Sequence, residues 1–492
     1  MLAVVVLALA GNPLAALAQS NANLPDLGTP AGTLANLDDE AQIGQMIVRE
    51  ARQQNLLIDD PESAEYLESL GLKLSSQAPD SDRQFHYLLF NESDINAEAT
   101  LGAVIFCDYG TILAADSESE LAGVLAHETA HITQRHMVRG ALKAEHASLA
   151  TAAALLGAVL LGAMGAGPEA IEGGVLAAEG MGAQMQINFT RDQEEEADRV
   201  GITYLARAGF DPMGLPDFFQ KMVQLYGYSE TQTPRMLVNH PVFPDRIADA
   251  RARAAQLEQQ ERPRNFTDSV SFGLIKERLR VLTAADDFDL RTYYDKRMQA
   301  PDPPLSIRYG QALALYQRGH PAEAVTLLKP LVAQHQGVIL LYSLLGQAQV
   351  AAGQAKDGLA TFARAETLFP RNVPLTVRYA EALIKTGDPR QAHALLLDLF
   401  NNEEPTPGQI RLTALAASAA GDAGDAYYYM GEYNISLGDL RMATQQLELA
   451  LASPHLTFVQ RKRFQARLEE IRTVLADDRR ENGKNPQNSG GY

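Results

Sequence analysis

The first half of the chain mixes helical and strand-like spacing of apolar residues. Helical spacing covers residues 38–54 and 61–74, where apolar positions recur every three or four residues. Short apolar runs rich in aromatic and β-branched residues instead predict strands. The predicted strands are 85–90, 103–107 and 111–114, and the tripeptide 108–110 is predicted to be a hairpin turn between the last two. We therefore expect a small sheet directly before the next helix.

The second half of the chain carries a regular repeat. Gly319, Gly353 and Gly387 lie 34 residues apart, and each separates two segments with helical spacing. A helix–turn–helix period of this length is that of tetratricopeptide repeats. Gly421 continues the spacing, whereas Gly438 restarts it. Unrelated helical hairpins would not keep three glycines in register, so we predict an α-solenoid with a concave surface for peptides or partner proteins.

The helix that follows the sheet can be predicted in detail. Ser117 and Glu120 have the spacing of an N-terminal capping box, and Gly140 is expected to end the helix. Its apolar stripe consists of Leu121, Val124, Leu125 and Ile132.

This helix contains the pentapeptide His-Glu-Thr-Ala-His at 127–131. Residues four apart share a helix face, so His127 and His131 can bind one ion, and the pattern is typical of zinc peptidases. Glu128 then lies beside the ion, where its carboxylate can take a proton from water. The alternative is a structural helix with two hydrogen-bonded histidines, and the complete pentapeptide favours zinc over it.

A further helix, predicted to begin near residue 190, opens with an acidic run. Catalytic zinc takes three protein ligands, and two histidines with one glutamate are a known set. Glu194 and Asp198 share a helix face, so Glu194 can bind the metal while Asp198 accepts a proton from the outer nitrogen of a ligand histidine. Composition alone does not choose among Glu194, Glu195 and Glu196. An acidic run at a helix N-terminus is also typical of a solvated surface.

The order of these motifs resembles that of the CAAX-prenyl-protease-type zinc peptidases. The matching residues are His127, Glu128, His131, Arg191, Glu194, Ala197 and Asp198. The resemblance covers about residues 38–254 and implies a gluzincin-like metallopeptidase domain. It also implies that Glu194 is the third metal ligand and that Asp198 is its partner residue.

His240 has three alternative roles. It lies in Asn239-His240-Pro241, and Pro241 biases it away from helical backbone. Its imidazole can be a surface group, stabilise the oxyanion, or occupy the fourth position on zinc. With Arg246, the segment resembles the family's downstream His-Pro segment, and this resemblance implies the third role. Such an enzyme would be latent until the loop moves.

The composition and the first residues of the chain indicate its class of partners and its cellular compartment. The net charge of −19 argues against nucleic-acid binding, and a single cysteine, Cys107, excludes an intramolecular disulfide. An apolar run at 2–10 and the sequence Ala-Leu-Ala at 16–18 predict a signal peptide over 1–18, although no basic residue precedes Arg49. We therefore expect the mature chain in the periplasm.

Residues 147–167 carry no charge and are mostly alanine, leucine, valine and glycine. We expect a buried helix or a lid over the cleft, with peripheral membrane contact as a further role. A membrane-inserted helix, and hence an intramembrane peptidase, is the alternative.

The predicted fold is mainly α. A zinc metallopeptidase domain with a small β-sheet is expected over 19–255, a connecting segment over 256–304, the α-solenoid over 305–476 and a disordered tail over 477–492.

An exported zinc peptidase with tetratricopeptide repeats resembles a family whose members act in periplasmic quality control. This resemblance implies, as partners, misfolded or stalled outer-membrane β-barrel proteins and the barrel-assembly machinery. The alternative is a non-proteolytic, repeat-based chaperone or scaffold with a blocked metal site. The presence of Glu128 favours the enzyme, because a scaffold needs no base.

Overall fold

The computed structural model describes residues 37–79, 83–143, 191–226, 233–260, 266–401 and 403–484. The expected signal peptide, the apolar segment 147–167 and the last eight residues of the expected tail lie outside these ranges. Within them, no helix is long and apolar enough to cross a membrane. The described chain is mainly helical with one small sheet, as the sequence predicts.

The elements of the first half position the candidate site. The helices are α1 (Leu37–Gln53), α2 (Pro61–Ser75), α3 (Tyr109–Ala114), α4 (Glu118–Thr133), α5 (His136–Lys143), α6 (Arg191–Arg207), α7 (Gly214–Tyr226), α8 (Arg235–Asn239) and α9 (Pro244–Gln260). The strands are β1 (His86–Phe90), β2 (Ala97–Thr100) and β3 (Val104–Asp108).

The second half is entirely helical in the residues described. Its helices are α10 (Val270–Leu282), α11 (Asp287–Arg297), α12 (Leu305–Gln317), α13 (Pro321–Gln334), α14 (Ile339–Ala351), α15 (Ala355–Leu368), α16 (Val373–Thr386), α17 (Pro389–Phe400), α18 (Pro407–Ala420), α19 (Ala423–Ser436), α20 (Leu440–Ala452) and α21 (Phe458–Lys484). Helix α21 extends beyond Asp477, where the sequence had predicted the start of a disordered tail.

The sheet differs from the prediction at one end. Its order is β1-β3-β2, with β1 parallel and β2 antiparallel to β3. The hairpin therefore joins β2 to β3, and the prediction of a turn at 108–110 followed by a strand at 111–114 was wrong. Those residues form α3, in which the Thr111 hydroxyl binds both the amide and the carbonyl of Asn96. A short buried apolar run has no periodicity that separates strand from helix, which explains the error.

Helix α4 is buried along almost its whole length. Ser117 caps it by accepting a hydrogen bond from the amide of Glu120. The helix ends before Arg135, whose φ of 52° breaks the helical path, and Gly140 lies inside the next helix, α5. The prediction that Gly140 ends the helix was therefore wrong. Gly201 of α6 packs so closely that a Cβ there would lie 3.0 Å from the backbone of His127. This close approach brings the acidic residues of α6 next to the histidines of α4.

The repeat pattern is confirmed as paired helices. The turns between paired helices contain Gly319, Gly353, Gly387 and Gly421, all with positive φ between 78° and 96°. This left-handed backbone is strained for residues with a Cβ, which explains why glycine recurs at this turn in each repeat. Gly421 joins α18 to α19, so the repeat continues one pair beyond the three registered glycines.

The peptidase elements and the repeats share one core. Buried apolar residues form a continuous cluster from Leu67 of α2 to Ala416 of α18. Residues 256–304, expected to be a connecting segment, contain α10 and α11, and α10 packs against α2, α3 and α12. The helices of the solenoid up to α18 therefore share their core with the peptidase elements.

Candidate metal centre

Four side chains from three parts of the chain meet beside α4. They are His127 and His131 of α4, Glu194 of α6, and His240, which follows α8. One donor atom of each lies within 4.8 Å of the others, and all four residues are buried. The structure thus brings together all four residues that the sequence predicted as metal ligands.

The donor spacings fit a small tetrahedral ion. Nε2 of His127 lies 3.0 Å from Nε2 of His131, 3.3 Å from Nδ1 of His240 and 3.5 Å from Oε2 of Glu194. Glu194 Oε1 lies 3.7 Å from His131 Nε2 and 3.1 Å from His240 Nδ1. Four donors bound tetrahedrally to zinc at its usual bond lengths would be about 3.3 Å apart. The donor set of nitrogen and oxygen atoms also suits zinc.

Glu194 is surrounded by groups that favour its ionised form. Burial alone would raise its pKa, but in the metal-free site the neighbouring His240 and His127 outweigh burial and hold the pKa well below its ordinary value. Arg246, fully buried, lies 2.9 Å from Glu194 Oε2 and adds a positive charge beside this carboxylate.

Asp198 lies behind His127. Its Oδ1 is 2.9 Å from the outer nitrogen, Nδ1, of His127, and Arg246 donates two hydrogen bonds of 2.8 Å to the same carboxylate. Burial raises the pKa of Asp198, but His127 and Arg246 outweigh this and lower it. An ionised carboxylate in this place can orient the ring so that Nε2 faces the cluster.

Glu128 lies between the cluster and the edge of the sheet. Its Oε2 accepts a hydrogen bond of 2.9 Å from the amide of Ala99 in β2. Its Oε1 is buried, has no hydrogen-bond partner among the described residues, and lies 3.5 Å from Nε2 of His240. Burial raises the pKa of this carboxyl group. Glu128 thus has one oxygen held in place and one directed at the cluster, as a proton acceptor requires.

The three consecutive glutamates of α6 have different surroundings. Glu194 faces the cluster, Glu195 pairs with Arg191 at 3.0 Å on the exposed side, and Glu196 lies 3.1 Å from His136. Helical rotation of about 100° per residue sends the three side chains in three directions. Only the packing of α6 on α4 selects the one that meets the histidines.

His240 is 1% exposed, so the structure excludes the surface position that the sequence left open. Its backbone is non-helical, as Pro241 predicted, with φ −122° and ψ 78°. The preceding helix, α8, is bound across the start of β2, because the amide of Met236 donates to the carbonyl of Ile95. Arg235 adds ion pairs to Asp94 and Asp108.

Sequence reasoning missed one neighbour of the cluster. His136 is fully buried, and its Nδ1 lies 2.9 Å from Nδ1 of His131. The available signal was a third histidine five residues after His131, but the break in the helix between them hid the contact. Arg246 was noted by resemblance alone, and its contacts with Asp198 and Glu194 appear only in the fold.

Comparison with known proteins agrees with this site. Residues 61–254 match the sequence profile of peptidase family M48, and residues 349–415 match a tetratricopeptide repeat profile. The M48 match lies within residues 19–255, where the sequence predicted a zinc peptidase.

Full-length relatives also match. The chain is 33% identical over 470 residues to the "Beta-barrel assembly-enhancing protease" of Escherichia coli strain K12, covering 93% of each chain. It is 32% identical to the protein of the same name from Yersinia pestis, covering 92% of each. A putative member from Vibrio cholerae is 32% identical, over 94% of this chain and 96% of the relative. This protein is therefore a metalloprotease with tetratricopeptide repeats, and it belongs to the family of β-barrel assembly-enhancing proteases.

Proposed function

We propose that this chain is a periplasmic zinc endopeptidase that acts in the quality control and assembly of outer-membrane β-barrel proteins. One zinc ion per chain would be held by His127, His131 and Glu194. The observation that carries the proposal is the buried donor cluster with the unpartnered Oε1 of Glu128 directed at it. The family name of the full-length relatives supports the proposed process.

Bound zinc supplies a Lewis acid, which polarises the scissile carbonyl and acidifies water. Glu128 takes the proton from the attacking water through Oε1 and delivers it to the leaving amine. The Ala99 amide keeps Glu128 in the required rotamer. Asp198 holds His127, and Arg246 holds Asp198 in turn. In the part of the chain that the structure describes, β2 pairs with β3 along one edge and with no strand along the other, which can therefore bind an extended peptide by main-chain hydrogen bonds.

His240 would make this enzyme latent. Its Nδ1 lies as close to His127 and Glu194 as a fourth ligand would, and it fills the position that water needs. The short helix before it covers the start of β2, where a peptide would bind. Movement of residues 233–243 would therefore open both the metal and the peptide edge.

The repeats would recruit protein partners, in line with the general use of such arrays. Their expected partners are stalled or misfolded outer-membrane β-barrel proteins and the barrel-assembly machinery. The close contact of His240 with His127 and Glu194 also favours the second candidate function, a repeat-based chaperone or scaffold whose metal site stays blocked. The two candidates differ in whether peptide bonds are ever hydrolysed.

The test is Glu128→Gln, with Glu195→Gln as its control on the exposed side of α6. Both variants should keep wild-type zinc content, because neither removes a ligand. Glu128→Gln should lose at least 100-fold in the rate of degradation of an unfolded protein, since general base catalysis typically contributes about 10²–10⁴-fold. Glu195→Gln should retain the wild-type rate. Equal hydrolysis by Glu128→Gln and the wild type would refute the role of Glu128. A wild-type protein that binds zinc but hydrolyses no peptide bonds, even after His240 is displaced, would support the scaffold instead.

A further inference from the structure

The two histidines of the pentapeptide, His127 and His131, contact different groups through their outer ring nitrogens. Nδ1 of His127 faces the Asp198 carboxylate, whereas Nδ1 of His131 faces Nδ1 of His136 at 2.9 Å. The positive φ of Arg135 turns the chain at the end of α4 and returns the His136 ring to His131. The two ring planes are 76° apart with centroids at 4.9 Å, so the rings meet edge to face.

The contact continues from His136 to α6. Nε2 of His136 lies 3.1 Å from Oε2 of Glu196, and Arg139 donates to the same oxygen at 3.0 Å. The side-chain amide of Gln193 donates to the carbonyl of His136 at 3.3 Å. Two residues of α6 therefore hold His136 in place through its ring and its backbone.

The contacts of His131, His136 and Glu196 can be satisfied by the following arrangement of protons. A histidine that binds a metal through Nε2 is neutral and carries its proton on Nδ1. His131 must then donate from Nδ1 to the unprotonated Nδ1 of His136. The proton of His136 is consequently on Nε2, where it is donated to Glu196. Arg139 favours the ionised form of that carboxylate, which completes the series.

We propose that His136 and Glu196 are positioning residues that hold the His131 ring, in the tautomer required, against the metal. This inference rests on the proposed metal site and adds to it. The Asp198 carboxylate positions His127, and an imidazole backed by a carboxylate positions His131. The acidic run of α6 then contains two functional residues, because Glu194 binds the ion and Glu196 supports the residue behind the second histidine.

The test uses substitutions that separate hydrogen bonding from packing. His136→Leu removes the acceptor but fills most of the space. His136→Asn returns an amide oxygen close to the position of Nδ1 and should restore the contact with His131. Glu196→Gln removes the terminal charge, and Glu195→Gln is the matched control one residue away. The measurements are zinc affinity by competition with a chromophoric chelator, the visible spectrum of the Co²⁺-substituted protein, and the melting temperature of the metal-free protein.

His136→Leu should bind zinc about 10–100-fold more weakly than the wild type and change the Co²⁺ spectrum, which is the usual effect of losing such a partner. His136→Asn should recover most of the affinity and the spectrum, Glu196→Gln should be intermediate, and Glu195→Gln should match the wild type. Wild-type affinity and spectrum in His136→Leu would overturn the inference. Equal losses in His136→Leu and His136→Asn, with a lower melting temperature in both, would also overturn it, because they would indicate a packing role. A wild-type chain that binds no zinc would overturn the proposed function itself.

Discussion

Replacing Arg278 of α10 tests whether the peptidase and the repeats are one stability unit. Its buried guanidinium donates to both oxygens of Asp60 at 2.7 and 2.6 Å and to Glu62 at 2.9 Å. It also donates to the hydroxyl of Tyr309 at 3.0 Å. Asp60 caps α2 of the peptidase, whereas Arg278 and Tyr309 belong to α10 and α12. The N-terminus of α2 is thus bound by helices of the second half.

The expected loss in the free energy of unfolding follows from the charges that remain buried after Arg278 is replaced. Arg278 and Arg378 together balance Asp60 and Glu62, and Arg378 contacts both carboxylates at 3.0–3.1 Å. Arg278→Ala leaves two buried carboxylates with one arginine, and removing one partner of a buried ion pair costs about 3–5 kcal/mol. Arg378→Ala should cost less, since its side chain is 16% exposed and Arg278 remains. The control is Arg318→Ala, which breaks a partly exposed pair with Asp287 and should cost about 0–1 kcal/mol.

Urea unfolding should be followed by two probes in the same samples. Far-ultraviolet circular dichroism reports mainly on the repeats, which supply most of the helix, and zinc release reports on the peptidase site. Because the core is continuous, both transitions of Arg278→Ala should move together to lower urea concentration. A loss below about 1 kcal/mol would refute the argument from uncompensated charge. A shift in circular dichroism with unchanged zinc release would show that the two halves unfold independently.

Three further predictions concern the site and its pH dependence. Glu194→Ala should lose at least tenfold in zinc affinity while Glu195→Ala keeps it, and equal zinc binding by both variants would show that Glu194 is not a ligand. His240→Ala should retain zinc but raise basal proteolysis, about tenfold if the open state of the wild type is populated at about 10%. Lower activity with unchanged zinc would instead indicate that His240 acts in the transition state. Burial raises the pKa of Asp60, but Arg278 outweighs it and holds the pKa below the ordinary 3.8. The stabilisation from Asp60 is therefore complete above that value and is lost as the pH falls below it. Chemical unfolding between pH 5 and 3 should show a steeper loss of free energy in the wild type than in Asp60→Asn, and parallel curves would contradict this.

Several features of the chain could be predicted from the sequence because they depend on local geometry. Two histidines four residues apart share a helix face wherever the helix lies, so His127, Glu128 and His131 could be selected without a fold. The 34-residue spacing of glycines is local in the same sense, since each repeat is one helix–turn–helix unit. Local signals failed where they were short. The run at 111–114 has too few residues to show a period, and the end of α4 depends on the backbone of Arg135 rather than on Gly140.

Only the tertiary structure decided which distant groups meet. Three consecutive glutamates are equivalent in composition, and the close packing at Gly201 determines that Glu194 faces the histidines while Glu196 faces His136. The burial of His240 depends on contacts of α8 with the segment just before β2. One of them joins Arg235 to Asp94, which are 141 residues apart in the chain. The shared core of the two halves likewise comes from long-range packing. Sequence periodicity reports which face of an element is apolar, but it does not report which other element covers that face.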